Sequence, residues 1–168
     1  LYVMNAAFGN GSEMTIIDPD ESSFETLNIG DGLSSIKRNG NSIYALSNAG
    51  LTEIDLLTDE VVNTQNAPDA VSGLENLVLT ESEIYYTFEN KLYRSDYSDD
   101  LLSANEFISY TSASGSGNIY GLDVIDDEIY VADADDFASN GYMAIYDVDG
   151  NFIEEIEVEL GPNGVYNN

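Results

Sequence analysis

The chain has 168 residues, enough for one domain with a hydrophobic core, and 43% of its residues are hydrophobic. It is strongly acidic: 32 Asp and Glu residues stand against four Lys and Arg residues, which gives a formal net charge of −28. Such a surface repels phosphate backbones and anionic lipid headgroups, so we expect neither nucleic acid nor bare membrane as a partner. The charge suits solubility in a salty or extracellular medium, where screening limits self-repulsion.

The chain contains neither cysteine nor histidine. Thiol chemistry is therefore excluded, as is nucleophilic catalysis in which a histidine base activates a serine or cysteine. Paired carboxylates for glycoside hydrolysis carry little weight, because any surface with 32 acids contains such pairs. No apolar run approaches the ~20 residues of a membrane span. We predict a protein that is not an enzyme and does not insert into membranes. The scarcity of Lys and Arg indicates a secreted or cell-surface location.

An internal repeat dominates the sequence. An aliphatic residue followed by tyrosine opens four short apolar runs, and successive tyrosines are 42, 41 and 45 residues apart. The four pairs are Leu1-Tyr2, Ile43-Tyr44, Ile84-Tyr85 and Ile129-Tyr130. These tyrosines share one position in the repeat, so we expect them to pack between repeats with the hydroxyl group hydrogen-bonded.

Each repeat predicts four short antiparallel strands, A to D. The tyrosine pair opens strand B, and a second run follows as strand C, for example Tyr142–Asp147 in the last repeat. Strand A precedes strand B across a tight turn, as in Arg38-Asn39-Gly40-Asn41, where Asn-Gly favours a hairpin. Helical periodicity is not sustained anywhere, so we expect no long helix.

The first repeat lacks strand A, because the chain opens at the tyrosine pair. The segment 162–168 stands where the strand A of a further repeat is expected. A C-terminal strand that completes the first unit closes a ring and removes an exposed edge. The sequence therefore predicts an all-β fold, a single β-propeller domain of four four-stranded blades. The blades are expected at about 1–30 plus 162–168, 31–66, 67–110 and 111–161.

Three other arrangements stay open. Two β-sandwich domains would also have short strands and regular turns, but they explain neither the tyrosine anchor nor the matched missing and surplus strands. Two chains would form an eight-bladed ring. The C-terminal strand would complete the first blade of a neighbouring chain, which gives a homo-oligomer or a head-to-tail filament.

Several segments resemble bacterial exported propellers of the YVTN-repeat (YncE-like) type. These segments are Leu1-Tyr2-Val3-Met4-Asn5, Phe8-Gly9-Asn10-Gly11-Ser12, Ile17-Asp18-Pro19-Asp20, Gly121-Leu122-Asp123-Val124, Ile129 to Ala134 and Tyr146 to Gly150. The resemblance implies an exported, surface-anchored propeller. The group includes the cobalamin-capturing surface proteins of gut bacteria, which generally have seven blades, whereas this chain has sequence for four.

One acidic loop is a candidate metal site. Between strands B and C of the last repeat, residues 133–141 read Asp-Ala-Asp-Asp-Phe-Ala-Ser-Asn-Gly. Ca²⁺ takes six to eight oxygen ligands, and Asp at alternate positions can converge on one ion. Asp133, Asp135 and Asn140 are the expected ligands, with Asp136 in reserve; the alternative is a solvated acidic loop. Ca²⁺ is the only cofactor that the sequence suggests.

The candidate binding residues lie in and beside the two long loops between strands B and C. The first and last repeats carry these loops, 6–13 and 134–141, whereas the middle repeats use minimal turns. In a closed ring both loops rise on one face, where a rigid scaffold most often places binding. Phe8 and Phe137 are the apolar candidates, and Asn5 and Asn10 are the polar ones.

Two functional hypotheses follow. The first is an exported structural or interaction module, plausibly a subunit of an extracellular assembly. The second is a cell-surface receptor that captures a small molecule or a glycan over the face that carries the long loops.

Overall fold

The structure is a computed structural model that describes residues 1–69, 71–115 and 117–166, with only the backbone of Phe8. The predicted all-β fold is confirmed: in these residues fifteen strands form four antiparallel sheets, accompanied by a short 3₁₀ helix at Ala7–Gly9. Within the described ranges, no helix is long and apolar enough to cross a lipid bilayer.

Consecutive strands are neighbours in every sheet. The first sheet contains β1 (Tyr2–Asn5), β2 (Glu13–Asp18) and β3 (Ser23–Asn28). The second contains β4 (Ser35–Asn39), β5 (Ser42–Ser47), β6 (Gly50–Asp55) and β7 (Val61–Asn66). The third contains β8 (Glu75–Leu79), β9 (Glu83–Phe88), β10 (Lys91–Asp96) and β11 (Glu106–Ser109). The fourth contains β12 (Ile119–Ile125), β13 (Glu128–Asp133), β14 (Tyr142–Asp147) and β15 (Phe152–Glu157).

The tight turns have the chemistry that the sequence predicts. Gly40, between β4 and β5, has φ of 57°, and Asp126 and Asp127, between β12 and β13, have φ of 51° and 65°. Positive φ at both central residues, as at Asp126 and Asp127, or at a glycine in the first central position, as at Gly40, matches the right-handed twist of the flanking strands. These turns fix the register in which Lys37 lies opposite Tyr44, and Asp123 opposite Tyr130.

The core lies between the sheets. One cluster joins the first and second sheets and includes Met14 and Ile43, and a second joins the second and third sheets and includes Leu46 and Ile84. A third joins the third and fourth sheets and includes Leu92. Each sheet thus buries its faces against its neighbours, as blades do in a propeller.

The first strands of the later sheets line the inside of the arrangement. β4 contacts β8, and β8 contacts β12, whereas β1 and β12 make no contact of comparable extent within the described residues. The sheets therefore pack in sequence order from first to fourth, and the first and last do not pack face to face.

The first sheet differs from the prediction. It has three strands, and the C-terminal segment that was expected to complete it does not pair with β1 in the same molecule. Residues 158–166 form no strand, and the Val165 N–H donates to the Asp123 carboxylate at 2.8 Å. Gly161 has φ of 67° and Pro162 has no N–H, so these two residues interrupt the extended backbone ahead of residues 163–166. Asn167 and Asn168 lie outside the described residues.

This C-terminal segment, residues 159–166, instead lies on the outer face of the fourth sheet. A Cβ at Gly121 would overlap the backbone of Asn163, and one at Gly141 would lie 2.6 Å from Pro162. The segment thus packs against β12 in the same way that β12 packs against β8 of the preceding sheet.

A repeated contact holds successive sheets together. The turn between the second and third strands of one sheet binds the segment that leads into the next sheet. Asn48 Oδ1 accepts the Gly73 N–H at 2.5 Å, and the Asn90 side chain donates to the Gly117 carbonyl at 2.8 Å. In the first sheet the backbone makes this contact, since the Leu33 N–H donates to the Gly11 carbonyl at 2.9 Å.

Candidate functional site

One face of the molecule, here called the loop face, gathers the connections between strands B and C and the segments that lead into the inner strands. Its centre is a depression of about 270 Å³. All four sheets contribute lining residues, namely Ala6, Gly9, Leu33, Ser34, Ser35, Glu75, Asn76 and Tyr120. A second depression of about 390 Å³ lies between the third and fourth sheets and shares Glu75.

The two long loops lie on this face. Ala6 and Gly9 of the first loop line the central depression. Phe137 of the second loop packs edge to face against Tyr120, with ring centroids 5.1 Å apart, and Tyr120 lines the same depression. The first loop therefore lines the depression, and Phe137 of the second loop contacts one of its lining residues.

The four candidate binding residues are not equivalent. Asn5 lies on the outer face of the first sheet, where its amide donates to Thr15 Oγ1 at 2.9 Å, away from the depression. Asn10 is exposed, and its backbone N–H donates to the Ala7 carbonyl at 3.2 Å, which ends the 3₁₀ helix. Phe137 is 48% exposed on the loop face. The Phe8 side chain lies outside the described part of the structure.

Asp133 has a structural position at the end of β13. Its side chain is fully buried and accepts hydrogen bonds from Tyr110 Oη at 2.7 Å, from the Asn118 N–H at 2.5 Å and from the Asp135 N–H at 2.8 Å. Burial opposes ionisation, but these donors, with Ser112, together hold the pKa of Asp133 below its usual value. Both carboxylate oxygens are therefore engaged in joining the third and fourth sheets.

The other candidate calcium ligands point to separate partners. Asp135 accepts from Ser114 Oγ at 2.5 Å. Asp136 accepts the Ala138 and Ser139 N–H groups at 2.9 and 2.7 Å, and Asn140 donates to Glu157 at 2.8 Å. Within the described residues, no three acidic side chains are placed to hold one metal ion. Calcium binding at this loop stays a sequence-based prediction.

Three of the repeated tyrosines, Tyr2, Tyr44 and Tyr85, pack between the sheets, whereas Tyr130 is in none of the three core clusters of the described residues. All four bond to acidic partners, and Tyr44 bonds to Glu53. Tyr2 donates across the first interface to Asp59, and Tyr85 and Tyr130 donate to the glutamates two residues before them, at 2.7 and 2.5 Å. Burial and then the neighbouring carboxylates raise the pKa of Tyr2, Tyr44 and Tyr85 to about 12. These tyrosines have the structural role that the repeat predicts.

Three residues of the central depression were not singled out from the sequence: Glu75, Asn76 and Tyr120. Each lies where an inner strand begins, and Asn76 has φ of 55° with its amide donating to Thr87 Oγ1 at 2.8 Å. When the repeats are aligned, these residues occupy equivalent positions at the starts of β8 and β12, and this equivalence could have identified them from the sequence.

No known protein-family profile and no curated protein sequence matches the chain. Solved structures do match. The β-propeller domain of Cps50 (Swd1) from Myceliophteria thermophila has a TM-score of 0.64 and 13% identity over 91% of this chain and 51% of that one. PorZ, a bacterial surface component of the type-IX secretion system of Porphyromonas gingivalis, has a TM-score of 0.58 and 15% identity over 86% and 19% of the respective chains.

The dihydro-heme d1 dehydrogenase NirN has a TM-score of 0.56 and 17% identity over 96% of this chain and 35% of that one. The chain thus spans about half of the Swd1 domain and smaller shares of the other two. At these identities the likeness concerns the fold alone. The four sequentially packed antiparallel sheets and these neighbours together show that the chain has a β-propeller fold.

Proposed function

We propose that the protein is an exported, non-enzymatic β-propeller module that associates with a second copy by adding a strand to its first sheet. The observation that carries this proposal is that, within the described residues, no strand pairs with the outer edge of β1. In the other three sheets, β4, β8 and β12 occupy the equivalent edge.

The register of β1 defines what this edge offers. Leu1 and Ile17 exchange two backbone hydrogen bonds of 2.8 Å, so the alternating pairs Val3–Thr15 and Asn5–Glu13 are also hydrogen-bonded pairs. The backbone N–H and C=O groups of Tyr2 and Met4 therefore point away from β2. Such an edge accepts a further strand through main-chain hydrogen bonds.

The C-terminal segment has the complementary position. It lies beside β12 where the inner strand of a further sheet would lie, and within the described residues no strand pairs with it. Pairing of this segment from one copy with β1 of another gives the first sheet a fourth strand. The contact is head-to-tail and can propagate.

Exposed apolar side chains on the first sheet and on the fourth sheet with its C-terminal segment favour the same contact between copies. Leu1, Val3 and Phe24 are exposed on the first sheet, by 72%, 41% and 76%. Ile156 of β15 and Leu160 of the C-terminal segment are exposed by 45% and 59%. Burial of these side chains between copies continues the sheet-on-sheet packing found within the chain.

Export is supported by the acidic composition and by the resemblance to YVTN-repeat surface propellers. Among the fold neighbours, PorZ is a bacterial surface component. A non-enzymatic role is supported by the lack of histidine and cysteine and by the engagement of the buried Asp133 carboxylate in hydrogen bonds.

Disulfide trapping tests the association, since the chain has no native cysteine. A Met4→Cys protein is mixed with an Asn163→Cys or a Val165→Cys protein and oxidised mildly. Strand pairing brings Cα atoms to about 5.5 Å, within disulfide range. We expect a disulfide-linked heterodimer from at least one mixture. The matched control replaces Met4→Cys with Leu57→Cys, at an 83% exposed position on the second sheet. Equal yields of disulfide-linked heterodimer from the Met4→Cys mixtures and from the Leu57→Cys mixtures would contradict the proposal.

The second candidate function is capture of a small molecule or a glycan on the loop face. The observation that favours it is the central depression, which four sheets build and which both long loops border. Replacing both long loops by two-residue hairpins is expected to abolish such binding. Retained affinity in that variant would reject this site.

A further inference from the structure

Two exposed aromatic rings meet at the rim of the central depression. Tyr120 and Phe137 are 49% and 48% exposed, and their planes are 87° apart. In the pairs Tyr86–Tyr93 and Tyr146–Phe152, by contrast, at least one ring is buried in the core. Tyr120 and Phe137 therefore present a contiguous aromatic surface to solvent.

The loop that carries Phe137 is held in a defined shape. Phe137 has φ of 60° and Asp135 has φ of 49°, a left-handed conformation that costs a non-glycine residue roughly 1–2 kcal/mol. The Phe137 N–H donates to the Ala134 carbonyl at 2.9 Å, and Asp136 accepts the two N–H groups that follow. With this backbone conformation, the Phe137 ring packs against Tyr120 of β12 in the same sheet.

The surroundings of the aromatic pair are negative. Glu75 lines the depression beside Tyr120, and Asp135 and Asp136 flank Phe137. Neither depression of the loop face has a lysine or an arginine among its lining residues. Lys91 is paired with Glu106 at 2.9 Å. The net charge of −28 adds to the attraction of cations and the exclusion of anions.

We infer that the Tyr120–Phe137 pair, with Glu75, binds an organic cation, namely a methylated or alkylated ammonium group. Aromatic faces attract such cations through the ring quadrupole, and a nearby carboxylate supplies charge without displacing the alkyl groups from the rings. A metal cation, by contrast, requires converging oxygen ligands, and the described acids do not provide them. This inference rests on the second candidate function and is independent of strand pairing at β1.

The test compares choline with 3,3-dimethylbutan-1-ol, its uncharged isostere, by isothermal titration calorimetry at 0.05 M NaCl. We expect choline to bind at least tenfold more tightly than the isostere. Tyr120→Leu and Phe137→Leu are each expected to weaken choline binding at least fivefold. Phe152→Leu, at a 60% exposed site on β15, is the matched control and leaves affinity unchanged. Thermal unfolding of each variant verifies that it is folded.

Three results would overturn the inference: equal affinity for choline and its isostere, equal competition by Na⁺ and tetramethylammonium, or full affinity in both aromatic variants. A trimethyllysine peptide distinguishes the source of the cation. Tighter binding of the peptide than of choline assigns the site to a protein side chain, and equal binding assigns it to a free small molecule. A variant ending at Leu160, which lacks most of the C-terminal segment, retains choline binding even if self-association fails.

Discussion

At the scale of single residues, the acidic side chains have two distinct roles. Most are exposed and supply charge, whereas Asp133 is buried and joins two sheets. Ser47, the equivalent residue of β5, has the same local role, since its hydroxyl accepts the Ala49 N–H at 3.2 Å as Asp133 accepts the Asp135 N–H. A residue that looks like a metal ligand in the sequence is therefore part of the repeat's own architecture.

Replacing Asp133 tests this role. Asp133→Asn places an N–H₂ group against donors and is expected to lower the free energy of unfolding by about 1–3 kcal/mol, measured by urea denaturation at pH 7. Because the folded pKa is lowered, the carboxylate stabilises the fold above the usual aspartate pKa, and this contribution is lost as pH falls through the folded pKa. Asp136→Asn, in an exposed turn, is the control and should cost below about 1 kcal/mol. Similar losses in both variants would contradict the assignment.

The repeated tyrosines predict alkaline instability. Folding raises the pKa of Tyr2, Tyr44 and Tyr85 from about 10 to about 12. Their contribution to stability is fully present below pH 10 and is lost as pH rises toward 12, because the unfolded chain then binds fewer protons than the folded one. We expect the urea midpoint to fall steadily over this window.

Tyr85→Phe, at a buried site, should make that pH dependence shallower. A urea midpoint that stays constant from pH 9 to 12 would show that folding does not change the pKa of these tyrosine hydroxyls.

At the scale of elements, strands bounded by clear turns could be predicted from the sequence. β14 has the predicted bounds, because its apolar alternation agrees with the Gly- and Asp-containing turns that flank it. The third and fourth strands of the early sheets are weaker signals, since β3 and β7 are largely exposed and carry polar residues at most positions.

The C-terminal segment could not be placed from the sequence. Its composition is typical of a strand that leads into a sheet. Which sheet it contacts depends on the absence of a side chain at Gly121, which lets the Asn163 backbone approach, and on the Asp123 carboxylate. The central depression could not be predicted from the sequence for a related reason. Its lining residues lie at the starts of separate inner strands, and only the packing of the sheets brings Glu75 and Tyr120 together.

Gly121 gives a direct test of where the C-terminal segment lies. Gly121→Ala places a Cβ into the backbone of Asn163 and is expected to cost about 1–3 kcal/mol of unfolding free energy. In a variant ending at Leu160 the same substitution should cost below about 0.5 kcal/mol, because the obstructing segment is absent. Equal costs in the two backgrounds would place the segment elsewhere.

At the scale of the whole molecule, charge opposes the association that the open edge favours. Copies that each carry −28 repel one another, and screening shortens the range of this repulsion from about 10 Å at 0.1 M salt to about 3 Å at 1 M. We therefore expect the self-association constant, measured by analytical ultracentrifugation, to rise at least tenfold from 0.05 M to 1 M NaCl. The variant ending at Leu160 should stay monomeric throughout. Association that weakens with salt would indicate an electrostatic contact instead of strand pairing.

Amide hydrogen exchange at β1 tests the strand-addition account most directly. Val3 is bonded to β2 and should exchange slowly at every protein concentration, whereas the Met4 N–H points to the open edge. Pairing with a second copy predicts that Met4 exchanges rapidly in dilute, low-salt solution and becomes protected in concentrated, high-salt solution. A Met4 amide that exchanges equally fast under both conditions, while Val3 stays protected, would contradict strand addition at this edge.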